Sequence, residues 1–395
     1  MTSPTHDTND LRSRLSRLRR SLHMKPELSG DERETAALVA DRLRALGLPT
    51  ETGAGGHGVV AVLETGRPGR TVAYRADMDA LPLQEASTHD YASLRLGVSH
   101  ACGHDVHVAV ALGVAERLLA ISGELRGRVV LIFQPAEESL DGARAMIEDG
   151  LLERYPVDAL LALHAFPLPV GRVGIAQGLT LAGMEEFHVR FYAPSGNREA
   201  LIDTAIRRLE ALSTEHAPID AAGFARVIDR MRDGDPALSR TLFISGWPAA
   251  PGSTSHTHIL GLVSMPDPSM ASAVHEDIRQ TLAACAGRFG ASFDVDVTFA
   301  NPPLRNDPTL VSEISPVIEK ELGAGSVEVF AAPYPFAHED LARFAERVPT
   351  ALVWLGTQNL EKGIPSVLHT AGYDVDEGAL EIGTRAMLAA IRSLL

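Results

Sequence analysis

Leu11, Leu15, Leu18 and Leu22 recur at helical spacing with arginines on the other side, which predicts an amphipathic helix over 11–23 that Pro26 ends. A second helix is expected over Asp31–Leu46, with Gly47 as its stop signal. Val59–Leu63 and Thr71–Ala76 read as short strands. The second carries Arg75-Ala76-Asp77-Met78-Asp79 to its C-terminal end, the edge at which open α/β sheets place their sites. Apolar positions from Val106 to Val114 predict a helix over Asp105–Ala120. Val129–Phe133 and Ala159–Leu163 are unbroken apolar runs, the mark of strands covered on both faces. They deliver Glu137 and Glu138, and then His164, with a helix over Gly142–Leu152 between them.

After Gly183 the pattern changes. Glu185–Tyr192 alternates like a half-exposed strand. The stretch continues as helix, strand, strand, helix and strand, with a further short helix over Ala221–Met231, and Asn301-Pro302-Pro303 closes it. Helices over Pro308–Leu322 and Glu339–Arg347, a strand over Ala351–Leu355 and a last helix from Asp376 resume the first pattern. The expected fold class is α/β. A catalytic domain, with a mixed sheet between helices, is built from 1–183 and 300–395. A ferredoxin-like α+β insert occupies 184–299.

At 395 residues two domains are the natural expectation, and 45% hydrophobic with 22% charged residues fits a soluble globular protein. No apolar run approaches membrane-spanning length. A net charge of −15 argues against nucleic acid or an anionic membrane as partner. The first ten residues lack the basic start and apolar centre of a signal peptide, so a cytoplasmic location is expected. Two cysteines exclude a disulfide framework and fit a reducing compartment. Cys285, within an apolar helical run, reads as a small buried hydrophobe.

Cys102 is different. Ser99-His100-Ala101-Cys102-Gly103-His104-Asp105 sets a thiol and an imidazole two positions apart, with a glycine that lets both point to one place. Gln134-Pro135-Ala136-Glu137-Glu138, Leu163-His164 and Leu368-His369-Thr370 add further metal-capable residues at expected strand ends. Cys102, His104, Glu138, His164 and His369 are too many ligands for one tetrahedral ion with an open position, and they suit two ions sharing a bridging thiolate. Two divalent transition-metal ions are expected: zinc, or manganese, cobalt or nickel. Glu137, diverging from Glu138, is left to hold the attacking water and pass its proton to a leaving nitrogen. Asp77 and Asp79 read either as turn formers or as carboxylates that orient the histidines, and His107 as a structural residue. Because histidine and cysteine must lose protons to bind metal, activity is expected at neutral to mildly alkaline pH.

Together with Tyr74-Arg75-Ala76-Asp77-Met78-Asp79-Ala80-Leu81-Pro82, these motifs resemble the amidohydrolases that include hippurate hydrolase and the plant auxin–amino-acid conjugate hydrolases. That group is a branch of the wider aminoacylase and carboxypeptidase G family. The resemblance covers about 10–180 and 300–395. It implies a zinc-peptidase-like catalytic domain, an inserted lid or dimerisation domain, and hydrolysis of an amide between an acyl group and an amino acid. It implies that Cys102 bridges, with Glu138 and His369 on one ion and His104 and His164 on the other, and that Glu339 of His338-Glu339-Asp340 supports the site. The insert departs from the family. Where members carry a Gly-Gly-His segment whose histidine reaches the substrate carbonyl across a dimer, this chain has Tyr192-Ala193-Pro194-Ser195-Gly196-Asn197-Arg198. The carboxylate-binding arginine of a Gly-Thr-x-Arg element is missing from Gly261-Leu262-Val263-Ser264-Met265. His256 and His258 are candidates for the lost histidine; the plainer reading is two polar residues entering an exposed strand. The expected activity is dimetal hydrolysis of a small N-acyl amide. The alternatives are acyl transfer or tailoring in a specialised pathway at the same site, and a catalytically silent metal-binding scaffold, against which the retained Glu137 argues.

Overall fold

The computed structural model describes residues 4–193, 195–249 and 257–395. The chain opens on α1 (Pro4–His23), α2 (Arg33–Ala45), β1 (Thr50–Ala54), β2 (Gly58–Glu64) and β3 (Thr71–Asp77). Next come α3 (His104–Ala120), β4 (Arg128–Gln134), α4 (Gly142–Glu148), α5 (Leu151–Arg154), β5 (Ala159–Pro169), β6 (Val173–Ala176) and β7 (Gly178–Leu179). A second unit follows as β8 (Gly183–Tyr192), α6 (Arg198–Glu210), α7 (Ala221–Asp233), β9 (Phe243–Pro248), β10 (Thr257–Met265), α8 (Ala271–Phe289) and β11 (Ser292–Asn301). The chain ends with β12 (Arg305–Asn306), α9 (Pro308–Leu322), β13 (Val327–Phe330), α10 (Leu341–Ala345), β14 (Thr350–Gln358) and α11 (Gly378–Leu394).

The large sheet has the order β1-β2-β4-β3-β5-β14-β6-β13 and is mixed. Its centre is parallel, β4 with β3, β3 with β5 and β5 with β14. The outer pairs β1–β2, β2–β4 and β14–β6 are antiparallel. Alternation explains why both faces are covered. Val129, Leu131 and Phe133 of β4 enter one core with α1, α2, α3, α9 and α11. Val130 and Ile132 enter the other, with α4, α7 and α10. Parallel strands need that double cover, and their side chains are apolar on both sides to suit it.

The small sheet, β11-β8-β10-β9, is antiparallel throughout. Phe187, Val189 and Phe191 of β8 pack under α6 and α8 in a core of their own. Their alternates Glu186, His188 and Arg190 lie on the opposite, open face.

Four departures from the sequence reading bear on the placement of the site. β5 runs on past His164, because Trp354 and Leu355 of β14 pair with His164 and Ala165 and extend the ladder. So His164 sits inside a strand rather than at its end. Gly150, at φ 80°, divides the expected helix over 142–152 into α4 and α5. The helix expected from Glu339 starts only at Leu341, since the Glu339 side chain turns inward and accepts from the Leu341 N–H at 3.0 Å. Finally, α7 lies inside the insert by sequence but packs elsewhere. Its Phe224, Val227, Ile228 and Met231 enter the core of the large sheet. The Met231 carbonyl accepts the N–H groups of Ala331 and Ala332, both at 3.1 Å. Among the described residues, no helix is long and apolar enough to cross a membrane.

Candidate metal centre and its chamber

Three turns bring the predicted residues together at one edge of the large sheet. At the start of α3, Gly103 takes φ 90°, and a Cβ there would stand 2.5 Å from Tyr373 Oη and 2.8 Å from Ala165 Cβ. Only glycine fits between Cys102 and His104. After β4, Ala136 is left-handed at φ 55°, pinned by its N–H to Glu32 Oε1 at 2.7 Å and by its carbonyl to the N–H groups of Asp141 and Gly142. His369 itself has φ 57°, and its N–H donates to the Ala101 carbonyl at 2.8 Å. A left-handed non-glycine residue costs on the order of 1–3 kcal/mol, so both turns are held by their surroundings.

Cys102 Sγ lies 3.5 Å from His164 Nε2 and 3.3 Å from His369 Nε2. Glu138 Oε1 is 3.7 Å from both His104 Nε2 and His369 Nε2. Two groups result, Cys102–His104–His164 and Cys102–Glu138–His369, with the donor atoms of each mutually within 4.8 Å. Ligands about 2.0–2.3 Å from a tetrahedral ion stand roughly 3.5 Å apart, so the donor set fits two ions around a common sulfur. Two buried atoms at the focus, His104 Nε2 and Glu138 Oε1, have no hydrogen-bond partner among the described residues. Buried polar atoms rarely go unsatisfied, and cations would satisfy both.

The histidines are held from behind. His104 Nδ1 donates to Asp79 at 3.2 Å and His164 Nδ1 donates to the Ala165 carbonyl at 2.7 Å, leaving each Nε2 lone pair facing the focus. Asp79 also accepts from the Glu138 N–H and Ser29 Oγ, so one carboxylate orients two of the predicted ligands. Asp77 takes the Nδ1–H of His107 at 2.5 Å, and His107 Nε2 accepts from the Ala165 N–H. His107 thus ties α3 to β5, the structural role expected of it. Glu339 meets Arg75 at 2.9 Å.

Carboxylates crowd this space. Burial, then Glu339 and Glu138, pushes Glu137 well above the usual range. Burial, then Glu138 and Glu137, holds the Cys102 thiol up. Burial opposes the charge on His104, but Asp77 and Asp79 outweigh it and push the imidazole up to about 10. A surplus of buried negative charge is what divalent ions would offset.

Sequence reasoning missed two participants. Arg75 is fully buried and reaches Asp77, Glu339 and Asp340, joining the support of the histidines to the neighbours of Glu137. Its signal was a lone cation at the end of an apolar strand. His338 lines the chamber beside His369, and burial first, then His369, pushes its imidazole down to about 4. Its Nε2 is buried and has no hydrogen-bond partner among the described residues.

The chamber above the centre holds about 570 Å³ and reaches from Cys102, Glu137 and His369 to Met184, Glu186 and Leu262 of the small sheet. His256 lies outside the described residues. His258 stands four residues before Leu262 on β10, roughly 13 Å along the strand, and is not among the residues lining the chamber. There it stacks with His188, Nδ1 to Nε2 at 2.7 Å.

The model of peptidase family M20/M25/M40 matches residues 73–393. Thermostable carboxypeptidase 2 of Saccharolobus solfataricus is 32% identical over 395 residues, covering 96% of this chain and 95% of its own. N-acetylcysteine deacetylase of Bacillus subtilis is 30% identical over 379 residues, covering 94% of each. The crystal structure of Bacillus subtilis YXEP protein, a dinuclear metal binding peptidase from the M20 family, superposes with a TM-score of 0.74 at 27% identity, covering 97% of this chain and 98% of that one. The chain belongs to peptidase family M20/M25/M40, and with it is a metal-dependent hydrolase of amide bonds.

Proposed function

We propose that this protein cleaves a small N-acyl amide at a centre of two divalent ions, with Cys102 bridging, Glu138 and His369 completing one site and His104 and His164 the other. The observation that carries the reading is the pair of donor groups sharing one sulfur, with Glu137 beside them. The ions would supply Lewis acidity and a water that deprotonates near neutral pH. Glu137 would be the group that takes a proton from water and delivers it to the leaving nitrogen. It stands 3.9 Å from His104 Nε2, near the centre, while its neighbour Glu138 is the one that faces His369. Asp79 and the Ala165 carbonyl hold the imidazoles of His104 and His164 in the tautomer that presents Nε2. A thiolate ligand favours zinc over magnesium and calcium.

Metal analysis of the purified protein tests this directly. Two tightly held transition-metal ions per chain are expected, with Cys102→Ser losing at least one. Fewer than one ion per chain, and no gain in amide hydrolysis on adding zinc, manganese, cobalt or nickel, would overturn it.

A further inference from the structure

Every described residue lining the chamber can be sorted by what it offers a substrate. Five aromatic side chains form one wall: Phe166, Phe224, Tyr334, Phe336 and Trp354. They touch one another, with Phe166 stacked on Trp354 at 5.0 Å between centroids and Phe224 stacked on Tyr334 at 5.9 Å. Phe224 comes from α7, the helix that leaves the small unit to pack on the large one, so α7 closes this wall. The charged side chains are Glu137, Glu138, Glu186 and Glu339; no lysine or arginine lines the chamber among the described residues. The sequence of 250–256 holds neither residue type. On β10 the next residue of the same face after Leu262 is Ser264, buried and already donating to the Pro335 carbonyl at 3.1 Å. What the chamber does hold is the partnerless Nε2 of His338, a hydrogen-bonding group.

A buried carboxylate without a cation or several donors is strongly disfavoured, and neighbouring carboxylates repel it. Aromatic walls gain by covering apolar surface, and neutral amides need only single hydrogen bonds. From this we infer that the chamber takes an amide flanked by apolar, aryl-sized groups and bearing no carboxylate, with α7 as the element that sets the preference and His338 as a hydrogen-bonding partner for the neutral polar group. This specifies the substrate class and rests on the hydrolase reading above.

The test pairs N-phenylacetylglycinamide with N-phenylacetylglycine, which differ only in carboxamide against carboxylate, on the zinc-loaded enzyme. The amide is expected to show kcat/KM at least tenfold higher; equal or reversed values overturn the inference, because the ions would then be binding the carboxylate themselves. Glu186→Arg should narrow the ratio at least fivefold. Phe224→Ala should raise KM for the phenylacetyl substrate about tenfold while changing N-acetylglycinamide less than threefold. Phe224→Leu, which keeps the α7 packing, should fall between; no selective change in either variant removes α7 from the account. Binding followed by the fluorescence of Trp354 gives the same ranking without turnover, and tenfold tighter binding of the amide is expected. A chain that holds two ions and cleaves the acid faster refutes only this inference. A chain that holds no ions and cleaves neither refutes the dimetal reading, while the fluorescence ranking still decides the preference of the chamber.

Discussion

The edge of the large sheet and the open face of the small one handle polar side chains in opposite ways. At the first, Asp79 serves His104 and Glu138 together, Asp77 serves His107, and Arg75 joins Asp77 to Glu339. His104 is fixed through its ring and Glu138 through its backbone N–H before any ligand arrives. On the second, Arg190 pairs with Asp296, and Tyr192 with Asp294, out in solvent, and Trp247 is 43% exposed beside Leu260 at 38%. The lesson is one of surroundings: buried polar groups must hold one another in place, whereas groups on the open face are left to solvent.

This contrast can be broken by mutation, and the steepest effects belong on the large sheet. Glu137→Gln should lower kcat by about 10²–10⁴-fold with metal content unchanged, the range general acid–base groups contribute. Steady-state kinetics beside elemental analysis separates that result from loss of the ions. Chelation should abolish hydrolysis and lower the melting temperature, both reversed by adding zinc or manganese, because ions bound only by the folded chain stabilise it. Asp79→Asn should weaken metal affinity by about 10–100-fold, the usual cost of removing a group that orients a ligand. Competition with a chromogenic chelator measures it.

Effects on the small sheet and periphery should be slight. His258→Ala is expected to change kcat/KM less than threefold. A hundredfold loss would move carbonyl stabilisation to that residue and erase the contrast. The smallest effect concerns Asp376, which accepts from Lys362 Nζ at 2.8 Å and from the Gly378 N–H. Burial works against its charge, but the Lys362, Gly378 and Asn359 contacts hold its carboxyl below the usual range. A carboxyl lowered on folding stabilises the fold above its ordinary pKa and loses that contribution as pH falls through the lowered value. Lys362 is over half exposed, so Asp376→Asn should cost only about 0.2–1 kcal/mol at pH 7. At pH 3 the difference should shrink, as urea unfolding at both pH values would show.

The strands that deliver the site were legible because double burial leaves continuous apolar runs, and β4 follows its run to within a residue. The donors were legible because few side chains bind metal and they fell after such runs. β1 and β13 were not: they lie at the sheet edges, where half-exposed residues such as Thr50, Glu51 and Glu328 blur the period, and β6, fully buried, is only four residues long. Arg75 and His338 escaped because burial of a polar side chain depends on contacts hundreds of residues away, as Arg75 with Glu339 shows. The packing of α7 was hidden for the same reason. Its amphipathic period announces an apolar face without naming the surface that face covers.

That packing has a mechanical consequence. β8 and β11 alone would leave the small unit free to swing about two strand ends, but α7 rivets it at a third point. Freeing Phe224, Val227, Ile228 and Met231 from the large core would cost on the order of 6–12 kcal/mol, at about 1.5–3 kcal/mol for each large side chain. A wide gape of the two units would then be populated at less than about one part in ten thousand. Entry and departure of small molecules are then expected to proceed without a wide opening of that hinge.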